Sequence, residues 1–193
     1  ILGRSPLFRG IPAGDFGVLL EHLKAETRSY KKGDLICHAG EHTNALGIVL
    51  TGSVTIESDD IFGNRSVLDK VGPGQVFAET YACVPNEPML VNVAAAENCT
   101  VLFLKTAQIL SPCAVNCRHH GKLIENLLLV SAQKNLSLSR RIFHTAPKTI
   151  RGRLISYLSF QAIRENSDSF TIPFNRQQLA DYLSVDRSAL SKE

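Results

Sequence analysis

Two β-branched and aliphatic runs meet at a glycine in the stretch Leu46-Gly47-Ile48-Val49-Leu50-Thr51-Gly52-Ser53-Val54-Thr55-Ile56-Glu57. Such side chains favour strands, and glycine gives the backbone freedom that a tight turn needs. Similar runs occupy residues 66–71, 90–95 and 100–104, with turn residues at 32–34, 62–64 and 72–74. Short strands at a spacing of about 8–12 residues predict an all-β sandwich or barrel, and a double-sheet jelly roll fits the pattern.

A helical pattern precedes the strands, over residues 5–28. Its apolar positions are Phe8, Ile11, Phe16, Leu19, Leu20 and Leu23. Pro12 interrupts the run, because proline lacks a backbone donor and clashes with the preceding turn. The pattern therefore predicts one or two short helices before the first strand.

Residues 116–145 have a helical period, with no proline and a single glycine. One seam alternates by four and three residues: Ile124, Leu128, Ser131, Asn135, Leu138 and Ile142. We expect Leu123, Leu127 and Val130 to widen this stripe. A helix of about 30 residues is roughly 45 Å long. That length exceeds the need of a small domain, so the seam predicts an inter-subunit coiled coil in a homodimer, with Asn135 fixing the register. The alternative is a helix that packs only on the β domain.

The last twenty residues predict a helix-turn-helix. The apolar positions of its two helices are Leu179, Ala180, Leu183 and Leu190. Ser184-Val185 forms the turn, and Asp186 suits the N-cap of the second helix, because its carboxylate accepts free N–H groups of the first turn. A second helix of this kind enters the major groove of DNA. The alternative is an ordinary helical hairpin.

Another amphipathic helix, ending near residue 166, and a short extended segment at residues 170–174 are expected before this motif. The unit of residues 147–193 is shorter than a complete winged domain. We therefore expect the recognition helix and any wing to continue beyond Glu193.

Charge is distributed unevenly along the 193 residues, whose net charge is +3. Residues 1–117 carry 9 basic and 12 acidic residues, whereas residues 118–193 carry 12 basic and 6 acidic residues. An acidic front and a basic back suit a sensor joined to a nucleic-acid binder. No apolar run is long enough for a membrane span, the start lacks a signal-peptide layout, and the five cysteines fit a reducing compartment. We expect a cytoplasmic protein.

A β-roll, a long helix and a helix-turn-helix in this order resemble the Crp/Fnr family of bacterial transcription regulators, over nearly the whole chain. In the β region the resemblance rests on Lys32-Gly33-Asp34-x-Ile36, Gly40-Glu41, Leu46-x-Ile48-Val49-Leu50-x-Gly52-x-Val54 and Gly72-Pro73-Gly74-Gln75-Val76-Phe77-Ala78-Glu79. At the other end it rests on Ile172-Pro173-Phe174-Asn175-Arg176-Gln177-x-Leu179-Ala180-Asp181-Tyr182-Leu183-x-Val185-Asp186-Arg187-Ser188. The pattern is most similar to uncharacterised Crp-like regulators of anaerobic Firmicutes, here truncated within the helix-turn-helix.

The resemblance implies an effector pocket in the β-roll beside the long helix. The expected pocket residues are Glu79, Thr80, Met89, Leu90, Val91, Leu138 and Ser139. The resemblance also implies double-stranded operator DNA as a partner. Arg176 and Gln177 would meet phosphates, and the residues facing the groove from the recognition helix would be Arg187, Ser188 and Lys192. RNA polymerase is a further partner that such a regulator can have.

Two departures from the family pattern limit which class of effector the pocket can bind. Members that bind cyclic nucleotides carry a Gly-Glu pair and an Arg-Ser pair, which hold the ribose and the cyclic phosphate. Here the first slot is Ala78-Glu79 and the second falls at about Pro88-Met89. Without an arginine the phosphate loses its charged, bidentate partner, so we expect an effector other than cyclic AMP. The N-terminal cysteine cluster of the iron–sulfur branch is missing from residues 1–36.

Three cysteine groups raise other chemistries. Cys113-x-x-x-Cys117-x-His119-His120 has ligand types that hold zinc or iron, although a buried helix start with exposed imidazoles explains it as well. Cys37-His38 resembles the haem ligands of a carbon-monoxide-sensing branch of the family. Cys83 lies near the expected effector pocket, where a redox-sensitive thiol is an alternative. Small buried side chains explain both cysteines more simply, so no cofactor is expected.

No Walker motif, nucleophile elbow or carboxylate pair indicates catalysis, and we expect a protein that is not an enzyme. The sequence thus predicts an α+β protein with a jelly-roll sensor at 1–115, a dimerisation helix at 116–146 and an incomplete helix-turn-helix domain at 147–193. Its expected function is ligand-responsive transcription regulation. One alternative is a metal-dependent cupin-type enzyme. It would need several His and a Glu on inward-facing strand positions, whereas the β segment has only His38 and His42, both near one turn, which argues against it. The other alternative is a haem or redox sensor using Cys and His residues.

Overall fold

The computed structural model describes residues 1–59, 65–111 and 119–193. These residues fall into two compact units, Ile1–Ser131 and Ala132–Glu193. The helices are α1 Phe16–His22, α2 Glu79–Cys83, α3 Thr106–Leu110, α4 His120–Thr145, α5 Ile150–Glu165, α6 Arg176–Leu183 and α7 Arg187–Leu190. The strands are β1 Glu26–Tyr30, β2 Leu35–Cys37, β3 Ala45–Thr51, β4 Val54–Asp59, β5 Arg65–Val71, β6 Val76–Phe77, β7 Asn92–Ala95 and β8 Cys99–Lys105.

The strands of the first unit form two antiparallel sheets. One sheet has the order β1-β8-β3-β6 and the other has the order β2-β7-β4-β5. Consecutive strands β3 and β4 lie in different sheets, on either side of Gly52, whose φ is +71°. A side chain at Gly52 would meet the carbonyl oxygen of Asn98 at 2.4 Å. The glycine therefore lets the chain cross between the two layers of the jelly roll.

Alternation along the strands builds two cores. On β3, Leu46 and Ile48 face the helices α1, α3 and α4, whereas Val49 faces the space between the sheets. The ring of Phe77 lies over Gly47, where a Cβ would come within 2.2 Å of it. The first sheet is thus covered on both faces, so the unit has three layers: helices, sheet and sheet.

The first half of α4 packs on the outer core through one face. Leu123, Leu127 and Val130 are buried there, and the side-chain amide of Asn126 donates to the carbonyl oxygens of Leu7 and Arg9 at 2.9 and 2.8 Å. The expectation that these three apolar residues widen the seam is corrected by this packing. They form the inward face of the helix, while the seam faces elsewhere.

The N-terminal helical prediction also extended too far. Residues 5–28 contain two short 3-10 segments, Pro6–Phe8 and Ala13–Asp15, followed by α1, but β1 already begins at Glu26. The chain leaves α1 at Lys24, which has a φ of +50°. Residues 170–174, expected as a short extended segment, form neither helix nor strand.

The second unit contains the end of α4, followed by α5, α6 and α7. Thr149 caps α5 by accepting a hydrogen bond from the Gly152 amide at 3.0 Å. The core of the second unit combines apolar side chains of α5, α6 and α7 with aromatic rings. Because α4 contributes residues to both units, the division into parts at residues 115 and 146 stays a prediction.

Candidate nucleic-acid interface and effector region

Helix α6 begins with a reciprocal cap. The side-chain oxygen of Asn175 accepts the Gln178 amide at 2.9 Å, and the side-chain oxygen of Gln178 accepts the Asn175 amide at 2.9 Å. Two backbone donors that the helix leaves free are thereby satisfied. This capping box was missed in the sequence, although Asn175 followed by Gln178 carries its signal.

A three-residue turn joins α6 to α7. Ser184 ends α6 in the left-handed region, with a φ of +54°, and Asp186 caps α7 by accepting the Ala189 amide at 2.9 Å. The hydroxyl of Ser188 also donates to Asp186, and this bond and the amide bond lower the pKa of the carboxyl group. The predicted N-cap is present, and it keeps an ionised carboxylate at the start of α7.

Two arginines hold the end of α6 and the turn. Arg141 on α4 donates to the carbonyl oxygens of Tyr182 and Asp181 at 3.0 and 2.9 Å. Arg153 on α5 donates to those of Leu183 and Ser184 at 3.1 and 2.9 Å. The last carbonyls of a helix lack partners within it, and these guanidinium groups supply them. Arg141 thereby connects the end of the long helix to α6.

An aromatic cluster surrounds His144 next to this contact. The imidazole is 3% exposed, and its Nδ1 lies 3.1 Å from the hydroxyl oxygen of Ser156. The rings of Tyr157, Phe160 and Tyr182 have centroids 5.6, 5.3 and 6.2 Å from it. Burial lowers the pKa of His144. The end of α4 is therefore packed into the second unit by a neutral imidazole.

The side chains predicted to contact DNA are all exposed: Arg176, Gln177, Arg187, Ser188 and Lys192. Gln177 donates to the Asp181 carboxylate at 2.8 Å. Among the described residues, Arg176, Arg187 and Lys192 form no ion pair, so their charges face solvent. One expectation is corrected: α7 ends at Leu190, so Lys192 lies beyond the observed helix.

The residues predicted for the effector pocket differ in burial. Glu79 is 3% and Met89 is 2% exposed, whereas Leu90 is 71% exposed. Thr80 is exposed and Val91 is half-buried. Met89 lies in the core between the sheets, near Phe77. The Met89 side chain therefore takes part in the packed core between the sheets. Leu138 and Ser139 belong to the second unit, and their role in a pocket stays a prediction.

The seam of α4 is open to solvent in the single chain. Leu128, Leu138 and Ile142 are 68%, 63% and 67% exposed. Ile124 and Asn135 are exposed as well, and Ser131 is half-buried. The side chain of Ser139 donates to Asn135 at 3.3 Å.

The cysteines and histidines of the other hypotheses give no sign of a metal or haem site in the described part of the chain. Burial, aided by the charge of Glu41, raises the pKa of the Cys37 thiol to about 11, and burial also raises the pKa of Cys83. His38 and His42 are exposed and lie outside the strands. Cys113 and Cys117 lie outside the described residues. Within the described part of the chain, no three His, Cys, Asp or Glu side chains are grouped to hold a metal ion.

The comparisons with known proteins agree with this architecture. Residues 27–116 match the family model for the cyclic nucleotide-binding domain. This part of the chain is therefore similar to that domain. No curated protein sequence matches the chain. In the described ranges, no helix is long and apolar enough to cross a membrane.

Solved structures with the same fold include bacterial regulators. The catabolite activator protein of Thermus thermophilus is 22% identical, with a TM-score of 0.60, covering 97% of this chain and 84% of that one. The c-di-GMP-responsive global regulator CLP of Xanthomonas campestris is 16% identical, with a TM-score of 0.63, covering 94% and 89%. The sensor domain of the transcriptional regulator DNR of Pseudomonas aeruginosa is 15% identical, with a TM-score of 0.53, covering 77% and 90%. The predicted α+β jelly-roll fold with a long helix is confirmed.

Proposed function

We propose that this chain is a ligand-responsive, DNA-binding transcription regulator of the Crp/Fnr type that acts as a homodimer. The observation that carries the proposal is the pair α6–α7, two capped helices with unpaired cations at their starts, in a chain whose residues 27–116 match the model of the cyclic nucleotide-binding domain. The similarity to structures of regulators supports this proposal through the fold. We propose no enzymatic role, and expect the cytoplasm as location and RNA polymerase as a further partner.

In this proposal α7 lies in the major groove. Arg187 is the first residue of α7, directly after the Asp186 cap, where recognition helices present side chains to base edges. Arg176 has the same place on α6, where a guanidinium meets phosphate oxygens. Gln177, Ser188 and Lys192 complete the contact surface. The duplex would replace water around charges that no acidic side chain of the described residues neutralises.

The exposed seam of α4 is the proposed dimer contact. Apolar side chains that are two-thirds exposed on a helix lose that contact with water when a second copy covers them. A two-fold axis along α4 would place two copies of α7 on one side of the dimer. Asn135 would set the register within the seam.

The end of α4 offers a route from effector to DNA. Arg141 and His144 hold α6 and α5, so any change in the pairing of two α4 helices would move the reading helices with it. An effector in the β-roll, near Glu79 and Val91, would act by binding one arrangement more tightly than another.

Cyclic AMP is not the proposed effector. A cyclic phosphate beside Glu79 would need a cation, and the family's arginine slot holds Pro88-Met89, with Met89 buried. We expect no cyclic AMP binding in calorimetric titrations at physiological concentrations. A dissociation constant of about 10 μM or lower, roughly −7 kcal/mol, would contradict this.

Selection from a random library of DNA duplexes tests the proposed function. We expect the chain to enrich a two-fold symmetric site, with half-site centres about 34 Å apart or a multiple of it. Binding that enriches no sequence would contradict DNA reading, and enrichment of a site without symmetry would contradict the dimer.

A further inference from the structure

A cleft of about 340 Å³ lies in the first unit, away from the proposed pocket at Glu79. Its walls come from β1, β2, β8, the first residue of β3 and the segments next to them: Lys24, Glu26, Arg28, Tyr30, Ile36, Cys37, Thr43, Asn44, Ala45, Phe103 and Lys105. Strand β1 is the edge of one sheet and β2 is the edge of the other. The cleft therefore opens between the two layers of the sandwich, where no further strand closes them among the described residues. Its volume suits a small molecule.

The cleft concentrates positive charge in the acidic half of the chain. Three cations line it, Lys24, Arg28 and Lys105, against one carboxylate, Glu26. Arg28 donates to Glu26 at 2.7 Å, and the Lys105 amine lies 3.8 Å from the same carboxylate. Hydrogen bonding and charge from Arg28, with the charge of Lys105, lower the pKa of Glu26, which keeps it ionised. One carboxylate is thus shared by two cations, and the lining retains a net charge of +2.

Lys24 adds the third charge from a backbone position that glycine usually takes. It follows α1 with a φ of +50°, and its amide and the Ala25 amide close the helix on the carbonyls of Glu21 and Leu20. This is the C′ position of a Schellman motif, where a side chain is disfavoured. The described residues give the Lys24 amine no hydrogen-bond or ion-pair partner. The strained position places a free cation at the rim.

The floor of the cleft is aromatic. The guanidinium of Arg28 lies 5.5 Å from the centre of the Phe103 ring, and Tyr30 meets that ring edge-to-face at 6.5 Å. The half-buried Cys37 thiol is held neutral by its raised pKa, about 11. Asn44 and Thr43 add polar groups at the wall. The lining therefore combines apolar ring surface with cations.

We propose that this cleft binds a small organic anion, a carboxylate or phosphate monoester attached to a flat apolar body. The cations would hold the anionic group through charge-assisted hydrogen bonds, and Tyr30 and Phe103 would cover the body. The proposal does not depend on DNA binding or on the pocket at Glu79.

Calorimetry with phenyl phosphate and benzoate tests the proposal, with benzyl alcohol as the neutral probe. We expect at least one of the two anions to bind with a dissociation constant of about 1 mM or lower, and benzyl alcohol to bind at least about tenfold more weakly. The double variant Arg28→Gln/Lys105→Gln should bind the anion about tenfold more weakly or worse, because hydrogen bonds to charged groups are lost.

Two single variants separate a site from general electrostatics. Glu26→Gln removes the competing carboxylate and should tighten binding by about threefold or more, a gain that unfolding cannot produce. Arg65→Gln removes an arginine of similar exposure, 56% against 61%, that pairs with carboxylates outside the cleft and should leave binding unchanged. The proposal is wrong if neither anion shows saturable binding to the wild type or to the Glu26→Gln variant. It is also wrong if Arg65→Gln weakens anion binding as much as the double variant does.

Discussion

Leu127 and Leu128 are neighbours on α4 with opposite surroundings: Leu127 is 4% exposed and Leu128 is 68% exposed. Leu127 shares its face with Leu123 and Val130, which pack on the core of the first unit. Leu128 belongs to the seam, which the single chain leaves in solvent. Two apolar stripes of one helix therefore have different tasks, one within the chain and one, in our proposal, between two copies.

The difference shows what a hydrophobic period can and cannot specify. Residues three and four apart share a helix face, so the period identifies a stripe but not what covers it. In α4 the two stripes lie about 100° apart around the axis, as follows from 3.6 residues per turn. Only the contacts of the folded chain distinguish the covered stripe from the open one.

The largest effect is expected at the covered stripe. Leu127→Ala should lower the free energy of unfolding of the first unit by about 2–5 kcal/mol, because a buried leucine leaves a cavity. Leu129→Ala, at a 47% exposed position off the seam, should change it by no more than about 0.5 kcal/mol. Denaturant unfolding measures both, and equal losses would erase the distinction between the stripes.

The open stripe should affect association instead. Leu128→Asp places a charge within the seam of the proposed dimer contact, where its desolvation opposes pairing. We expect light scattering to show a dimer for the wild type at micromolar concentration and a monomer, with unchanged circular dichroism, for Leu128→Asp. Leu129→Asp is the matched control and should stay dimeric. A monomeric wild type would refute the dimer.

A smaller effect is expected near the end of α4, at His144 within the second unit. The unfolded histidine takes up its proton near the ordinary pKa of 6.5, while burial lowers the pKa in the folded state. The contribution of His144 to the free energy of unfolding should therefore be fully present above about pH 6.5. It should decrease as the pH falls through 6.5 toward the pKa of the folded state. His144→Phe should reduce this slope in thermal unfolding below about pH 6.5, and His38→Phe, at an exposed site, should not. Equal slopes in all three proteins would show that the imidazole is unimportant.

Much of the β unit could be predicted from local sequence. The runs on either side of Gly52 form β3 and β4. Their apolar residues predict strands, and the glycine between them predicts the turn that joins the strands. Strand β1 was missed, since its residues, Glu26–Tyr30, are polar and mostly exposed, as suits an edge strand. Without a buried face, no period distinguishes it from the helix before it.

The candidate interface was predictable only in its local parts. The Asp186 cap lies three residues from the amide it accepts, so its signal is contiguous in sequence. Arg141 and Arg153 reach carbonyls about 30–40 residues away, and no period or spacing announces such contacts. The cleft beside Arg28 was missed for the same reason, because its walls come from strands of two sheets.

The central claim is that α7 contacts the base edges of DNA while α6 contacts the phosphate backbone of the duplex. Its most direct test is the affinity of wild type, Arg187→Ala and Arg176→Ala for the selected duplex and all its single-base variants, at several salt concentrations. We predict that Arg187→Ala costs about 1–3 kcal/mol at the selected site and relaxes one base position. Arg176→Ala should weaken all duplexes similarly and flatten the salt dependence. An unchanged base-preference profile for Arg187→Ala would contradict the account.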